Sequence, residues 1–381
     1  MPEYDTIRTD VMGSLLRPAQ LRAGRVAWEK GEVDTDHFRK IEDEAIVAAV
    51  RLQETVGLDV VTDGEYRRLN FQDSFGLSVA GFDAAASKLA VYEQRVAGAE
   101  PLRRWEIPTM GHAGTAVAHR RPAVERLRLV RNLPLEEYRF VASVATRPAK
   151  VSLIGPDRIT QRFDYQASTN VYPTIDEFVA DVVAIEREVI SSLVDAGCRY
   201  IHIDAPGMTA YVDPPSLEEM RRRGEDPAVN FARSLAAESK LTEGFDGVTF
   251  GIHLCRGNQR SMWHREGTYD AIAERMFQEL PHARFLLEYD SPRAGGFEPL
   301  RFVPKGRVVV LGLVSTKVAE LESIDDLKRR IDAAARYLPL EQLAISPQCG
   351  FASDVVGNLL SPDDQKRKLE LVVETARQVW G

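Results

Sequence analysis

His253 and Cys255 have the residue types and the spacing of a metal-binding pair. They close the run Gly247–Cys255, which is predicted to be a β-strand, so both side chains project to the same side. Imidazole and thiolate are both good zinc ligands. Glu288 and Cys349 each fall at the end of another predicted strand, and two sulfur ligands argue against a site for magnesium or calcium. The set of His, Cys, Glu and Cys predicts a zinc site.

Short β-branched apolar runs alternate with amphipathic stretches along the chain, which predicts a parallel sheet with helices around it. Eight such runs favour a (β/α)8 TIM barrel, in which chemistry sits where the strands end. The predicted strands are Thr9–Ser14, Val60–Asp63, Lys150–Gly155, Tyr200–Asp204, Gly247–Cys255, Arg284–Glu288, Arg307–Val314 and Leu343–Ser346. The predicted helices cover 35–56, 174–196, 216–242, 268–279, 321–337 and 362–379.

The predicted domain organisation is a single catalytic barrel over residues 1–381, with an insertion after its second strand. The interval from Glu65 to Ala149 is too long for one connection between barrel elements. We therefore expect an insertion of helices or a hairpin at approximately 70–148, over one end of the barrel.

Polar motifs follow nearly every predicted strand, so the candidate zinc ligands are not isolated. An alternative is that the His-X-Cys pair is accidental and that the cysteines are small core residues. The third cysteine, Cys198, precedes a strand at the opposite end of the barrel, and we interpret it as structural. The motifs at the strand ends are GSLLRP (Gly13–Pro18), TDGEYRR (Thr62–Arg68), IGPDR (Ile154–Arg158), HIDAPG (His202–Gly207), GIHLCRG (Gly251–Gly257), LLEYDSPRAGG (Leu286–Gly296), LGLVSTK (Leu311–Lys317) and ISPQCGF (Ile345–Phe351).

The composition excludes several classes of protein. The chain has 381 residues, 44% hydrophobic, with a net charge of -8, and its apolar runs fall short of the roughly 20 residues that span a bilayer. No secretory signal pattern is visible, and three cysteines are too few for a disulfide framework. The acidic balance lacks the footprint of a nucleic-acid binder. We expect a cytoplasmic protein with no nucleic-acid or membrane partner.

The motifs GSLLRP, DGE, IDAP, HLC with a downstream Glu, and SPQCGF resemble the C-terminal catalytic barrel of cobalamin-independent methionine synthases. More narrowly, the chain is similar to the shorter, single-barrel members of that superfamily. The resemblance runs from about Asp10 to the C-terminal ETARQVW, outside the insertion. It implies a zinc-dependent methyltransferase that uses a zinc-bound thiolate, with homocysteine as the default acceptor and methionine as the product. It also implies that Zn²⁺ is the cofactor, and that homocysteine is held by its amino-acid part. The residues that it assigns to the metal are His253, Cys255, Glu288 and Cys349, and those that it assigns to homocysteine are Ser14, Glu65 and Asp204.

The sequence departs from that family in places that leave the methyl donor open. The family's QxDEP segment reads HIDAP here, and no histidine follows the seventh predicted strand, where Val314 stands instead. A methylfolate, a methyl-cobalamin protein and another activated methyl compound are therefore all open as the donor. A folate leaving group needs a proton, for which His202 is a candidate acid, with His112 and Lys317 as alternatives. Whether the chain forms a homo-oligomer is also open.

Three other functions remain as alternatives. An epoxyalkane:coenzyme M transferase would keep zinc and the thiolate, but its sulfonate thiol has no obvious use for Glu65 and Asp204. A uroporphyrinogen decarboxylase-like barrel would use no metal. A non-catalytic zinc protein would also have four protein ligands, so the ligand count does not decide between structure and catalysis.

Overall fold

A parallel β-sheet forms the centre of the molecule, for which the computed structural model describes residues 4–83 and 121–381. Its six strands pair in chain order, each with the next. Every residue of five of them is buried, as expected when both faces of a parallel sheet are covered. The strands are β1 (Val79–Phe82), β2 (Ala123–Leu129), β3 (Val151–Ile154), β4 (Tyr200–Asp204), β5 (Thr249–Leu254), β6 (Arg284–Glu288), β7 (Val308–Val314) and β8 (Leu343–Pro347), of which β3 to β8 form this sheet.

Two further segments close the sheet into a barrel. Thr9 bridges to Ile345 of β8, and Val61 bridges to Ala149 just before β3, both in parallel. The two segments are joined through Asp59, whose carboxylate accepts a hydrogen bond from the Thr9 N–H at 2.9 Å. In return, the Asp59 N–H donates to Thr9 Oγ1 at 2.9 Å. The predicted (β/α)8 barrel is therefore confirmed.

The first two predicted strands, Thr9–Ser14 and Val60–Asp63, are shorter than expected, because each makes a single bridge instead of a ladder. The physical reason is that the side chains of Thr9 and Asp59 supply hydrogen bonds that backbone groups would supply in a regular sheet. The other six predicted strands agree with β3 to β8 to within two residues at either end.

Amphipathic helices cover the outside of the barrel. Five of the predicted helices are present with ends shifted by at most three residues, but the one over 216–242 is two helices. Gly224 takes a φ of 76° after the first of them, and Pro227 begins the second behind its Asp226 cap. None of the helices within 4–83 and 121–381 has the length and apolar character needed to cross a membrane. The helices are α1 (Ala19–Glu29), α2 (Thr35–Val56), α3 (Asp73–Gly76), α4 (Leu133–Val144), α5 (Pro156–Gln161), α6 (Ile175–Asp195), α7 (Pro214–Arg222), α8 (Pro227–Thr242), α9 (Asp270–Glu279), α10 (Ile324–Ala334) and α11 (Pro362–Trp380).

The described parts of the predicted insertion hold the helices α3 and α4 and an antiparallel pair of strands, β1 and β2. The Leu127 N–H donates to the Tyr172 hydroxyl at 2.7 Å, which attaches this pair to the segment before α6. Residues 84–120, with His112, lie outside the described residues. That 70–148 forms one insertion therefore stays a prediction.

A buried network around Asp10 closes the amino-terminal end of the barrel interior. The carboxylate accepts hydrogen bonds from Lys150 Nζ at 2.6 Å and from the Tyr200 hydroxyl at 2.5 Å, and Arg284 Nε lies 3.3 Å away. These partners stand at or just before the first residues of β3, β4 and β6. The accessible mouth is therefore at the carboxyl ends of the strands, where barrel enzymes carry their chemistry.

Arg68 forms a buried ion pair that ties the loop after the second barrel segment to α4. Its Nη2 atom lies 2.6 Å from Glu137 Oε2, and both side chains are at most 2% exposed. We expect Glu137→Gln to lower the free energy of unfolding by up to about 3–5 kcal/mol, because the buried Arg68 charge then keeps only the more distant Glu65, whose Oε1 atom lies 3.7 Å from Arg68 Nη1. Glu136→Gln, which removes the exposed pair with Arg131, should cost less than about 1 kcal/mol. Chemical denaturation compares the two variants, and equal losses would show that the buried pair is unimportant.

Candidate metal centre

Two strand ends bring together, at the barrel mouth, three side chains that could hold a metal ion, and we call them the metal-binding group. His253 lies in β5, Cys255 directly follows β5, and Cys349 lies two residues beyond β8. One ligand atom of each side chain lies within 4.8 Å of the other two. All three residues are buried, with exposures of 1%, 5% and 6%. The alternation of side chains along β5 therefore does what the sequence predicted, and the barrel adds the third residue from 94 positions further along the chain.

The imidazole of His253 is oriented by the neighbouring strand. His253 pairs with Leu286 of β6, and its Nδ1 atom lies 3.0 Å from the Leu286 carbonyl oxygen. Because a carbonyl oxygen only accepts, Nδ1 carries the proton. The other nitrogen, Nε2, is buried and has no hydrogen-bond partner among the described residues. A histidine held in this way is arranged as a metal ligand through Nε2.

The two sulfur atoms differ strongly in their tendency to ionise. A hydrogen bond from the Cys349 thiol, together with the nearby His253, holds the pKa of Cys255 well below its usual range. The same interaction raises the pKa of Cys349. Cys198 behaves differently, since burial raises its pKa to about 12 and its Sγ contacts the Tyr200 carbonyl oxygen at 3.4 Å. A thiolate is therefore favoured at the mouth, and Cys198 has a structural environment.

The loop that carries Cys349 is held in place by amide and hydroxyl groups from two other strand ends. Asn258, after β5, donates to the Gly350 carbonyl oxygen at 2.6 Å. The Thr316 hydroxyl, after β7, donates to Gln348 Oε1 at 2.5 Å and reaches the same Gly350 oxygen at 3.0 Å. These bonds hold the Gln348 side chain before Cys349 and the Gly350 carbonyl group after it, so the loop around Cys349 is held in a defined position.

Glu288, the fourth predicted ligand, lies at the end of β6 and is fully buried, but it does not belong to the group within 4.8 Å. Its Oε2 atom accepts from the Arg256 N–H at 2.6 Å, and its Oε1 atom lies 3.1 Å from Arg293 Nη2. Burial raises its pKa, but Lys317, Arg256 and Arg293 lower it further and keep it below the ordinary value. Glu288 is therefore an anion next to Cys255, and its role as a ligand stays a prediction.

Glu65 and Asp204, two of the predicted substrate residues, are carboxylates close enough to affect each other. Burial, with a contribution from Asp204, raises the pKa of Glu65 to about 7. Its Oε1 atom accepts from Ser152 Oγ at 2.8 Å, whereas Oε2 has no partner among the described residues. Glu65 also has a φ of 58°, which non-glycine residues rarely adopt and which occurs preferentially at functional sites. Asp204, at the end of β4, lines the pocket of the three metal-binding residues.

Ser14, the third predicted substrate residue, is buried and lies against the Cys349 loop. A side-chain carbon at Gly350 would come within 2.0 Å of Ser14 Oγ, so a glycine is needed there. The Ser14 carbonyl oxygen accepts from the Phe351 N–H at 2.8 Å. Its neighbour Gly13 has a φ of 150°, and a side chain there would meet Glu65 Oε1 at 2.7 Å. The close passage of these backbones brings Ser14 next to Cys349 and Glu65 next to Gly13.

His202, the predicted acid, is fully buried in β4, and its Nε2 atom lies 3.4 Å from Asp204 Oδ1. Burial and the nearby Lys150 lower its pKa to about 4. The imidazole is therefore neutral at pH 7, and this does not favour a role as acid. Lys317, at the end of β7, is 2% exposed, and its Nζ atom has no hydrogen-bond partner among the described residues.

The pocket of about 80 Å³ at these residues also contains side chains that the sequence did not assign to the metal or homocysteine sites. Arg158, His264 and Arg265 contribute to its wall with Asp204 and the metal-binding group. Arg158 belongs to the IGPDR motif after β3, so its position at a strand end was visible. The importance of Arg158 was not visible, because it depends on which hydrogen-bond partners the side chain has in the folded protein.

Comparison with known proteins identifies the family. The catalytic domain model of the cobalamin-independent synthases matches residues 7–101. The uncharacterized protein YxjH of Bacillus subtilis (strain 168) is 35% identical over 381 residues, which cover 98% of this chain and 94% of that protein. A methionine synthase of Pyrococcus abyssi is 26% identical over 352 residues, covering 92% of this chain and 87% of that one. The chain belongs to the cobalamin-independent methionine synthase superfamily.

The fold is shared with a protein of known structure. A B12-independent methionine synthase from Shewanella sp. W3-18-1, solved in complex with selenomethionine, superposes with a TM-score of 0.71 and covers 98% of this chain and 97% of that one. The two sequences are 16% identical, so this comparison shows the fold alone. The superfamily assignment confirms the resemblance that the strand-end motifs indicated.

Replacing one of the converging sulfurs is expected to remove the metal. In Cys349→Ser we expect zinc affinity to fall by more than the roughly 10- to 100-fold that is lost when a hydrogen-bond partner of a metal ligand is removed, because the predicted ligand atom itself is removed. Elemental analysis of the purified variant, as zinc per chain, measures this. Cys198→Ser is the matched control and should keep the wild-type zinc content. Full zinc content in Cys349→Ser would mean that this sulfur is not a ligand.

Proposed function

We propose that the protein is a zinc-dependent methyltransferase that moves a methyl group to the thiol of homocysteine to give methionine. The observation that carries this proposal is the buried group of His253, Cys255 and Cys349, in which His253 Nε2 has no hydrogen-bond partner among the described residues. Two sulfurs and an imidazole nitrogen are ligands suited to zinc. The relatives that are named methionine synthases support homocysteine as the acceptor.

The metal-binding group and Glu288 would together hold the ion. Zinc bound there would lower the pKa of the substrate thiol and keep it as the thiolate, which is the reactive nucleophile. Cys255 is already arranged to be a thiolate, since Cys349 and His253 lower its pKa. The position of the group at the barrel mouth, next to the carboxylate of Asp204, favours catalysis over a purely structural role.

Glu65 and Asp204 would bind the ammonium group of the amino-acid thiol. Each is a buried carboxylate, and Glu65 has one oxygen without a partner among the described residues. An ammonium placed between the two would relieve their repulsion and supply the missing donor. Ser14, packed against the Cys349 loop, would hold the carboxylate end of the same molecule.

The methyl transfer itself requires only a donor whose methyl carbon reaches the thiolate. A lone pair on sulfur forms the new carbon–sulfur bond while the bond from the methyl carbon to the donor atom breaks, and the donor keeps that electron pair. A methylfolate would then take up a proton, and the neutral His202 is poorly suited to supply it. Methylfolate and a methyl-cobalamin protein both stay open as donors.

The first test is zinc-edge X-ray absorption of the protein with and without homocysteine. We expect one zinc per chain, and we expect homocysteine to replace an oxygen or nitrogen neighbour of the metal by a third sulfur. 2-Mercaptoethanesulfonate, which lacks the ammonium group, should add this sulfur only at much higher concentration. Absence of stoichiometric zinc would overturn the proposal, and a preference for the sulfonate thiol would move it to the coenzyme M transferase class.

The raised pKa of Glu65 predicts a pH dependence for amino-acid binding. Because this pKa is about 7, the carboxyl is largely neutral at pH 6 and largely ionised at pH 8, so methionine should bind about ten-fold more weakly at pH 6. Methionine has no thiol, so its ammonium group is the feature tested. Calorimetric titration of Glu65→Gln should show weak binding and no such pH dependence.

Glu186→Gln is the control for this titration, because burial raises the pKa of Glu186 to about 8 on α6, outside the pocket at the barrel mouth. It should keep the wild-type pH dependence. An unchanged pH profile in Glu65→Gln would remove Glu65 from the ammonium site.

A further inference from the structure

A cavity of about 1070 Å³ lies beside the pocket of the metal-binding group. The two share three wall residues, Arg158, His264 and Arg265, so they are adjacent spaces separated by these side chains. The rest of the cavity wall comes mainly from α5, α7 and α8. Its volume is at the upper end of the range of small-molecule sites in proteins, and it is much larger than the pocket of about 80 Å³ at the metal centre.

The two arginines in the shared wall make hydrogen bonds only to neutral oxygens within the described part of the chain. Arg158 is 6% exposed and contacts Gln161 Oε1 at 3.3 Å, and its Nε atom has no partner there. Arg265 contacts the carbonyl oxygen of Pro206 and, at 3.3 Å, the same Gln161 oxygen. A buried guanidinium usually pairs with a carboxylate, because burial of an unpaired charge is costly. Both side chains are therefore arranged to accept a further anion.

The nearest acid of the cavity wall is already engaged by neutral donors. Asp157 Oδ1 accepts from the Tyr211 hydroxyl at 2.9 Å and from Ser234 Oγ, and its Oδ2 atom accepts from Gln161 Nε2 at 3.1 Å. Positive charge consequently accumulates around His264, and burial together with Arg265 and Arg158 lowers the pKa of its imidazole to about 3. The shared wall therefore holds two guanidinium groups that make no hydrogen bond to a carboxylate of the described residues.

We propose that the cavity binds the methyl donor through an oxyanion group, a carboxylate or a phosphate, that is held by Arg158 and Arg265. That the bound molecule is the donor rests on the proposed function, whereas the binding of an oxyanion does not. Guanidinium groups match the planar, multivalent geometry of carboxylate and phosphate oxygens. The thiol would occupy the small pocket next to Cys255 and Asp204, and the charged end of the donor would lie across the shared wall from it.

The test is calorimetric titration of the zinc-loaded protein with inorganic phosphate and, separately, with glutarate, at low ionic strength. The wild type should bind at least one of the two, and the better ligand identifies the class of oxyanion. Arg158→Gln and Arg265→Gln should each weaken that binding about ten-fold or more, since each removes a charge-assisted hydrogen bond. Failure of the wild type to bind either anion, or equal binding by Arg158→Gln, would overturn the proposal.

Arg223→Gln is the matched control. Arg223 lines the same cavity, but its Nε atom lies 3.0 Å from Glu225 Oε1 and its Nη1 atom lies 3.4 Å from Glu219 Oε1. Its charge is therefore already paired, and its loss should change anion affinity less than two-fold. Thermal unfolding followed by circular dichroism establishes that the three variants are folded, and raising the salt concentration should weaken binding in the wild type.

The outcome for the oxyanion site is separable from the outcome for the proposed function. Anion binding that requires Arg158 in a protein without stoichiometric zinc would leave this site standing and remove the methyltransferase. If zinc gains a third sulfur but the protein binds no anion, the methyltransferase proposal stands and the oxyanion site is overturned. Phosphate affinity that is unchanged by saturating homocysteine assigns the oxyanion to the donor. Displacement of phosphate by 2-mercaptoethanesulfonate, but not by homocysteine, would assign it to the acceptor and overturn the donor assignment.

Discussion

The contact between His253 Nδ1 and the carbonyl oxygen of Leu286 joins the central strand of the site to its neighbour, and it leaves Nε2 as the nitrogen that can bind a metal beside the two cysteines. It exists because β5 and β6 pair in parallel with His253 opposite Leu286. A shift of one residue in this register would turn His253 and Cys255 to the other face together. The register of the barrel strands therefore determines whether a metal centre can form at all. The remaining side chains of the site depend on the same register.

The residues at the mouth come from distant parts of the chain, and hydrogen bonds and close contacts fix the positions of their strand ends relative to one another. Asn258 and Thr316 hold the loop of Cys349, and the packing of Ser14 against Gly350 brings the first barrel segment to the same loop. The buried network of Asp10 fills the opposite end of the barrel. The interior is thus closed at one end by paired charges, whereas the other end concentrates groups whose charges a ligand can complement.

Much of this arrangement was predictable from the sequence, and the exceptions have physical reasons. Fully buried strands are continuous apolar runs, so β3 to β8 were found, and the spacing of His253 and Cys255 indicated a shared face. The first two strands were predicted too long, because side-chain bonds between Thr9 and Asp59 replace backbone ladders, and a sequence does not show this. Arg158 and Arg265 were missed for a similar reason, since an arginine is informative only once its partners in the folded chain are known.

The predicted thiolate and carboxylate ligands differ in which groups stabilise their negative charge. The Cys255 thiolate is stabilised mainly by the Cys349 thiol and by His253, so its charge is compensated within the metal-binding group itself. Glu288 has an N–H of Arg256 and the guanidinium of Arg293 on its two oxygens, so its charge is compensated outside that group. In the proposed zinc centre, a detached Glu288 would keep its N–H and guanidinium partners, whereas a detached cysteine thiolate would lose the charge of the metal. We therefore expect the sulfurs and the imidazole to hold the ion permanently, and Glu288 to be the ligand that an incoming thiol replaces.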